Sequence, residues 1–232
     1  MKLSYLISCH NETDTLFHLV SLLCETIEKS EDEVVILDDF SDPSKTQDFI
    51  QDLCAFHNTK YGGRVKKIQH HLDNDYGAHK DWGGRQCTGD YIFQIDGDEL
   101  PSEYIIGENL HTIIESNLNV ELIFVPRIND FKGVQQHHAA QWGWRLSESP
   151  SLHRPIVNWP DYQGRIYKNK PGVIKWDRRL HEKIEGHKEY SFLPAEEEYA
   201  LLHDKTIEKQ IETNLKYNQK FSQQENQGHQ VT

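Results

Sequence analysis

Apolar and polar residues alternate along this chain in blocks whose length and period separate strands from helices. Leu3 to Ser8 is a short apolar run that reads as a first strand. Leu16, Leu19, Val20, Leu23 and Ile27 then recur at helical spacing, with Asn11 placed to cap that helix and Asp14 three residues on. Glu33 to Leu37, apolar from Val34 onward, predicts a second strand buried on both faces. Asp42 and Pro43 make a cap and a first-turn proline for the next helix, lined by Phe49, Ile50, Leu53 and Phe56 and broken at Gly62-Gly63. Val65 to Gln69 predicts a third strand, His79 to Cys87 a helix, and Tyr91 to Ile95 a fourth strand. Ser102 to Ser116 reads as a helix and Leu122 to Pro126 as another buried strand. Strands alternating with helices predict an α/β fold with a mainly parallel sheet and helices on both faces.

After Pro126 the rhythm changes. Asn129 to Trp159 shows little periodicity but many Trp, His, Gln and Arg residues. Gly164 to Lys168 and Val173 to Trp176 read as a hairpin turned at Asn169-Lys170-Pro171-Gly172. A last helix is expected over Thr206 to Phe221, and the polar, Gln-rich stretch Ser222 to Thr232 as a disordered tail. No repeat or linker divides the chain, so residues 1–221 read as one domain, with 1–100 and 101–221 as its halves.

At 232 residues, 36% hydrophobic and 27% charged, the chain can bury a sizeable core. Its formal net charge of −12 argues against a nucleic-acid partner. Cys9, Cys24, Cys54 and Cys87 lack CxxC spacing, and reduced, mostly buried thiols are expected. Neither a signal peptide nor an apolar stretch of membrane-spanning length is seen, which predicts a cytoplasmic protein.

Charge alters the picture most at the strand ends. The first strand ends in His10-Asn11-Glu12, the second in Asp38-Asp39, the fourth in Asp96-Gly97-Asp98-Glu99. In parallel α/β sheets ligands bind at the carboxyl ends of strands. Carboxylates crowded at the end of a buried strand are costly unless something positive meets them. Asp96 and Asp98, two apart, point to one side of an extended chain, and Gly97 lets a ligand come close. Hard divalent cations such as Mg²⁺ or Mn²⁺ suit those oxygens and would carry a diphosphate. Turn chemistry alone accounts for Asp42, whereas adjacent Asp38 and Asp39 exceed what one cap needs. Trp142, Trp144, Trp159 and Trp176 suit either a core or the C–H faces of sugar rings.

Four segments together resemble family 2 glycosyltransferases of the GT-A fold. They are Ile7-Ser8-Cys9-His10-Asn11-Glu12; Val35 to Asp42, similar to a DDGSxD segment with Phe40 in place of Gly; Asn74 to Lys80; and Thr88-Gly89-Asp90-Tyr91 through Asp96-Gly97-Asp98-Glu99. The second half, with Asn158-Trp159-Pro160-Asp161-Tyr162-Gln163-Gly164-Arg165-Ile166-Tyr167 and Leu180-His181-Glu182, looks like the subset related to lipopolysaccharide-core glucosyltransferases. The resemblance implies metal-dependent, inverting transfer of a sugar from a UDP- or GDP-linked donor to a glycan, lipid-linked or protein acceptor. It places Asn11 and Glu12 near the nucleotide, Asp39 on the base or ribose, and Asp96 and Asp98 around the diphosphate and its Mn²⁺ or Mg²⁺. Lys80 stands in a His79-Lys80 pair where the family often has Arg-Asn, and as a point charge it suits a phosphate. His181 and His203 are candidates for a further metal ligand. Inversion calls for a carboxylate base. Glu182 and Asp161 are the contenders, with Asp177 behind them; Glu182 is favoured because His-Glu follows a predicted strand, against a surface ion pair with Arg178 or Arg179.

Two other readings fit the same half-Rossmann pattern. A nucleotidyltransferase would open with a Gly-rich loop, and Leu3 to Asn11 contains no glycine. A non-catalytic sugar- or nucleotide-binding module would keep the fold without donor turnover.

Overall fold

Residues 1–27 and 31–221 are described by a computed structural model, and the tail expected over 222–232 lies outside them. In chain order the first half runs β1 (Leu3–Cys9), α1 (Asp14–Thr26), β2 (Glu33–Asp38), α2 (Asp48–Tyr61), β3 (Val65–Gln69), α3 (Tyr76–Gly84) and β4 (Tyr91–Asp96). Next come β5 (Glu99–Pro101), α4 (Gly107–Glu115), β6 (Leu122–Val125), β7 (Arg127–Lys132), α5 (Gln136–Trp142), β8 (Leu146–Ser149) and β9 (Arg154–Val157). The chain closes with β10 (Gln163–Lys168), β11 (Lys175–Asp177), β12 (Lys183–Glu185), β13 (Tyr190–Phe192), β14 (Leu201–Thr206) and α6 (Ile207–Lys220).

The large sheet has the order β13-β6-β10-β4-β1-β2-β3. Its β4-β1-β2-β3 half is parallel, as the alternation of apolar runs and helices predicts. Tyr5, Val34, Ile36 and Phe93 pack on one face against α1, α2 and α4. Leu6, Val35, Leu37 and Ile92 pack on the other against Trp82 of α3 and Trp176 and Ile184 of the β11–β12 hairpin. Strands covered on both faces need apolar side chains at every position, which is why these runs do not alternate. A smaller sheet, β5-β14-β7-β9-β8, lies beside it and accounts for the region without periodicity. Its strands are short and hold polar residues at buried positions, such as Asn129 and Asp130, so no apolar rhythm marks them.

Three expectations are corrected. Val173 to Trp176 does not pair with Gly164 to Lys168; β10 runs antiparallel between β4 and β6, and β11 pairs with β12. The reason is burial: Ile166 and Tyr167 face opposite ways and both are buried, which only an inner strand allows. The helix expected over Ser102 to Ser116 is split into a 3₁₀ turn at Glu103–Ile105 and α4, with Ile106 extended between them. Ile105 and Ile106 both enter the core, and adjacent residues of a continuous helix do not share a face. Asn11 does not cap α1, which starts after Thr13 without a side-chain cap. It adopts a left-handed φ of 68° and its Oδ1 accepts from the Asp42 N–H at 2.7 Å, tying the β1 and β2 loops together. Asp42 caps the following turn as expected, its Oδ1 accepting from Ser44 N–H at 2.9 Å.

Gly89 shows why a Gly-Asp-Tyr sequence enters β4. A Cβ there would lie 2.6 Å from Ser4 N and 2.7 Å from Leu3 C, both backbone atoms of β1. Neither can move without breaking the sheet. Gly89→Ala is expected to destabilise the fold by about 1–3 kcal/mol, the usual scale of overpacking. A urea midpoint that drops at constant slope checks this; an unchanged midpoint would show that the β1–β4 entry can spread.

Candidate active site

Parallel register brings the acidic strand ends to one rim. Ser8 of β1 stands opposite both Leu37 and Asp96, and Cys9 opposite Asp38. The loops after β1, β2 and β4 therefore emerge side by side. Gly97 donates its N–H to Ser8 O at 2.7 Å, and its missing side chain leaves room beside Cys9 Cβ, 3.0 Å from where a Cβ would sit. This turns the chain sharply and presents Asp98.

Around Asp96 an alternating chain of charge is assembled from distant segments. Glu182 accepts from Lys80 of α3 at 2.6 Å, and Lys80 lies 2.9 Å from Asp96 Oδ1. Arg165 of β10 bridges Asp96 Oδ2 at 2.8 Å and Glu99 Oε1 at 2.6 Å. Arg127 of β7 reaches Glu99 at 3.1 Å and Asp161 Oδ2 at 2.7 Å. Burial alone would raise the Asp96 carboxyl, but Arg165 and Lys80 outweigh it and hold it below the ordinary carboxylate range. For Glu182 the same contest ends the same way, through Lys80. Lys80 in turn has only 4% of its side chain exposed and stays charged because Asp96 and Glu182 overcome its burial. Its ammonium also lies 5.0 Å from the centre of the Trp176 ring.

Asp98 has its own partners. Lys205 Nζ is 2.9 Å and His203 Nε2 3.4 Å from its Oδ2. Burial would raise this carboxyl, and His203 and Lys205 hold it well below the usual range. Burial pushes the His203 imidazole down, towards its neutral form. The tautomer follows from its neighbours. Asn129 donates its amide to Asp161 Oδ2 at 2.9 Å, so its Oδ1, 3.0 Å from His203 Nδ1, must accept. Nδ1 then carries a proton: in the charged ring Nε2–H also faces Asp98 Oδ2 and lowers that carboxyl, and in the neutral ring, which burial favours, the Nε2 lone pair faces it. Two lone pairs facing each other suit a cation held between them.

At the ends of β1 and β2, Asp39 Oδ1 accepts from Leu72 N–H at 2.9 Å, while Oδ2 stands 3.7 Å from His10 Nδ1. Glu12 accepts from His10 N–H at 2.5 Å, and burial raises its carboxyl. Phe40, at the position where a glycine was expected, has a left-handed φ of 43° and stacks on His71 at 3.9 Å. Helix α6 returns along the rim, where Tyr217 meets Tyr76 at 6.2 Å and Phe221 lies under Arg179.

The fold thus gathers Glu182, Lys80, Asp96, Asp98, His203 and Asp161 into one connected network. Asp161 is tied on both oxygens: Oδ2 by Arg127 and Asn129, Oδ1 by Gln163 at 3.0 Å. Glu182 pairs with the buried Lys80, and it follows β11 in the loop that leads into β12. His181 sits one residue earlier with a left-handed φ of 54°. Among the described residues, no three His, Cys, Asp or Glu side chains gather to hold a metal by themselves. Of the other functional groups of the network, Glu99 stands in the acidic strand end already singled out, while Arg127, Asn129, Arg165 and Lys205 were given no role from the sequence. Only Gly164-Arg165 carried a signal, as a charged residue inside an otherwise apolar run. The pairing of β10 with β6 shifts between Gly164 and Ile166, so Arg165 is the extra residue of a bulge, and the bulge turns its guanidinium towards Asp96.

No curated protein sequence matches the chain. Among solved structures, S. aureus TarS 1–349 in complex with UDP-GlcNAc aligns with a TM-score of 0.57 at 16% identity, over 88% of this chain and 59% of that one. A second crystal structure of S. aureus TarS 1–349 aligns with a TM-score of 0.56 at 16% identity, over 97% of this chain and 68% of that one. The chain therefore spans about three-fifths of the first of these, and likeness at this identity concerns the fold, which is the mixed α/β, Rossmann-like GT-A arrangement. The family is decided by the sequence itself: residues 4–178, from β1 through β11, match the profile of glycosyl transferase family 2, and the protein belongs to that family.

Proposed function

We propose that the chain transfers a sugar from a UDP- or GDP-linked donor to an acceptor hydroxyl with inversion, using a divalent metal. The observation that carries this reading is the meeting of Asp96, Asp98, His203, Lys80 and Glu182 at the carboxyl end of β4. We read residues 1–221 as one GT-A domain, with 1–100 holding the donor and 101–221 the acceptor, in the cytoplasm. Among the described residues no helix is long and apolar enough to cross a membrane. That TarS was solved with UDP-GlcNAc supports a nucleotide-sugar donor here.

The residues present fit a metal ion. Glu182, Asp96, Glu99, Asp161 and Asp98 are five carboxylates against four cations, Lys80, Arg165, Arg127 and Lys205. A diphosphate adds negative charge to a site already short of positive charge. Both Asp96 oxygens are engaged by cations, whereas Lys205 takes one oxygen of Asp98, so the Asp98 carboxylate and His203 Nε2 would hold Mn²⁺ or Mg²⁺, with donor oxygens completing the shell. Such an ion acts as a Lewis acid on the leaving nucleoside diphosphate. Lys80 adds a fixed positive charge beside Asp96, where the diphosphate charge develops. Asn11, Glu12 and Asp39 line the nucleoside side.

We assign the base to Glu182. It is kept ionised by Lys80 on Oε1, which leaves Oε2 to take the acceptor proton. Asp161 spends both oxygens holding Arg127, Asn129 and Gln163, which suits a positioning part. The likeness of 158–167 and 180–182 to lipopolysaccharide-core glucosyltransferases supports a glycan acceptor.

Thermal stabilisation by UDP- and GDP-sugars, with and without Mn²⁺, tests the reading. Metal-dependent stabilisation followed by nucleotide release supports it. Binding without any release favours a non-catalytic module, and release of pyrophosphate from a nucleoside triphosphate and a sugar phosphate favours a nucleotidyltransferase. Asp39→Ala is expected to weaken UDP or GDP binding by about 1–3 kcal/mol, the scale of a lost charged hydrogen bond. An unchanged dissociation constant would confine Asp39 to holding the Leu72 backbone.

A further inference from the structure

The chain has five tryptophans, and three are accounted for by packing. Trp176 and Trp82 belong to the core cluster under the large sheet, and Trp159 packs against Ile128 and Ile156. Trp142 and Trp144 belong to no such cluster. They end α5 and the turn after it, both half-buried, with ring centres 4.7 Å apart. Trp144 leans on Phe131 at 5.5 Å, and Phe131 meets His203 at 5.8 Å.

Strand register fixes which way this pair faces. In the parallel β7–β14 ladder Asn129 stands opposite His203, and Phe131 opposite Lys205. Residues two apart share a face, so Phe131 lies on the face that carries Asn129, His203 and Lys205. His203 and Lys205 are the groups that hold Asp98. The two indoles therefore continue the site outward from the His203 side of Asp98. On the α5 side their rim is polar and uncharged: Gln136, His137 and Gln141 are exposed, and His138 stacks on Trp142 at 5.8 Å, while the exposed Arg145 beside Trp144 donates to the Trp159 carbonyl.

We infer that Trp142 and Trp144 form a shelf on which a neutral sugar ring of the acceptor lies, so that the acceptor is a glycan. An indole face offers area without conformational entropy and matches the C–H face of a pyranose, while amides and imidazoles at the edge meet its hydroxyls. A phosphorylated acceptor would want cations here, and a lipid tail would want an apolar rim. The assignment rests on the transferase reading above, because the shelf is an acceptor subsite only if the donor lies at Asp98.

Tryptophan emission titrated with methyl α- and β-glycosides of glucose, galactose and mannose tests the shelf, and UDP and GDP binding is measured on the same preparations. The wild type is expected to show a saturable emission change with at least one glycoside. Trp142→Ala and Trp144→Ala should each weaken it about tenfold, the scale of one lost aromatic contact, while Trp142→Phe retains it. Nucleotide affinity should stay the same in all variants. If Trp144→Ala fails to fold because Phe131 loses its neighbour, the half-exposed Trp142 carries the comparison alone. No emission change with any glycoside, or full binding in Trp142→Ala, overturns the shelf. Glycoside binding with no nucleotide binding in the wild type overturns the donor reading and the acceptor role with it.

Discussion

Asp98→Ala is expected to abolish sugar transfer while the protein still folds. Its carboxylate stands at the tip of the β4 turn and receives Lys205 at 2.9 Å, with His203 Nε2 at 3.4 Å. Without it the proposed cation keeps one protein ligand and loses the charged one. A Lewis acid on a leaving diphosphate is worth several kcal/mol, so the loss is roughly a thousandfold or more. Folding should survive because Asp98 lies in a surface turn with 24% of its side chain exposed, and His203 keeps Asn129. Asp96 is a poorer choice for this experiment. It is locked between Lys80 and Arg165, and removing it strands two buried cations, a defect that costs about 3–5 kcal/mol. Nucleotide release from UDP- and GDP-sugars is to be measured beside a thermal melt. Full wild-type activity in excess EDTA would remove the metal from the mechanism, and a folded, active Asp98→Ala would remove Asp98.

Glu182→Gln is expected to leave donor binding intact and lower turnover by roughly 10²–10⁴-fold, the usual contribution of a general base. Burial favours the neutral acid here, and Lys80 at 2.6 Å overrides it, so the carboxylate persists below the ordinary glutamate value of 4.5. The sign follows. A depressed pKa keeps the base form present above that value, and turnover falls only as pH drops through the lowered one. The acid limb of kcat in the wild type should therefore lie below pH 4.5, and it should vanish in Glu182→Gln. The amide still accepts from Lys80, so the network around Asp96 stays closed. If Glu182→Gln turns over like wild type while Asp161→Asn is dead, the base is Asp161 and its ties to Arg127 and Gln163 must open during the reaction. If neither matters, inversion through a carboxylate is the wrong mechanism.

The first half of the fold was legible because β1, β2 and β4 are buried on both faces and the helices between them on one. Val34 to Leu37 had to be a central strand, since a run so apolar has nowhere else to go. The second half was not legible for the opposite reason. Its strands β7 to β9 and β14 pair in a small sheet where buried Asn129 and His203 bond to each other and buried Asp130 to Arg154, so polarity no longer reports exposure. The expected hairpin at Gly164 failed on the same point. A short β-prone run states that it is a strand, but its partner is settled by competition for the inner place beside β4, which Ile166 and Tyr167 win.

Asp39, Asp96, Asp98 and the pattern around them were determined by the sequence alone, because local chain geometry and strand-end placement need only neighbours in sequence. The partners of those carboxylates were decided by tertiary structure. Lys80 and Glu182 are separated by 102 residues, and Arg165 and Asp96 by 69. Arg165 turns inward only because its strand carries a bulge against β6. Whether a carboxylate is a ligand, a base or a structural tie depends on which of its oxygens other groups have already taken. Asp161 and Glu182 are alike in the sequence, and the fold separates them: it ties both oxygens of Asp161 to Arg127, Asn129 and Gln163 and sets Lys80 on Oε1 of Glu182, which is why the base is proposed at Glu182.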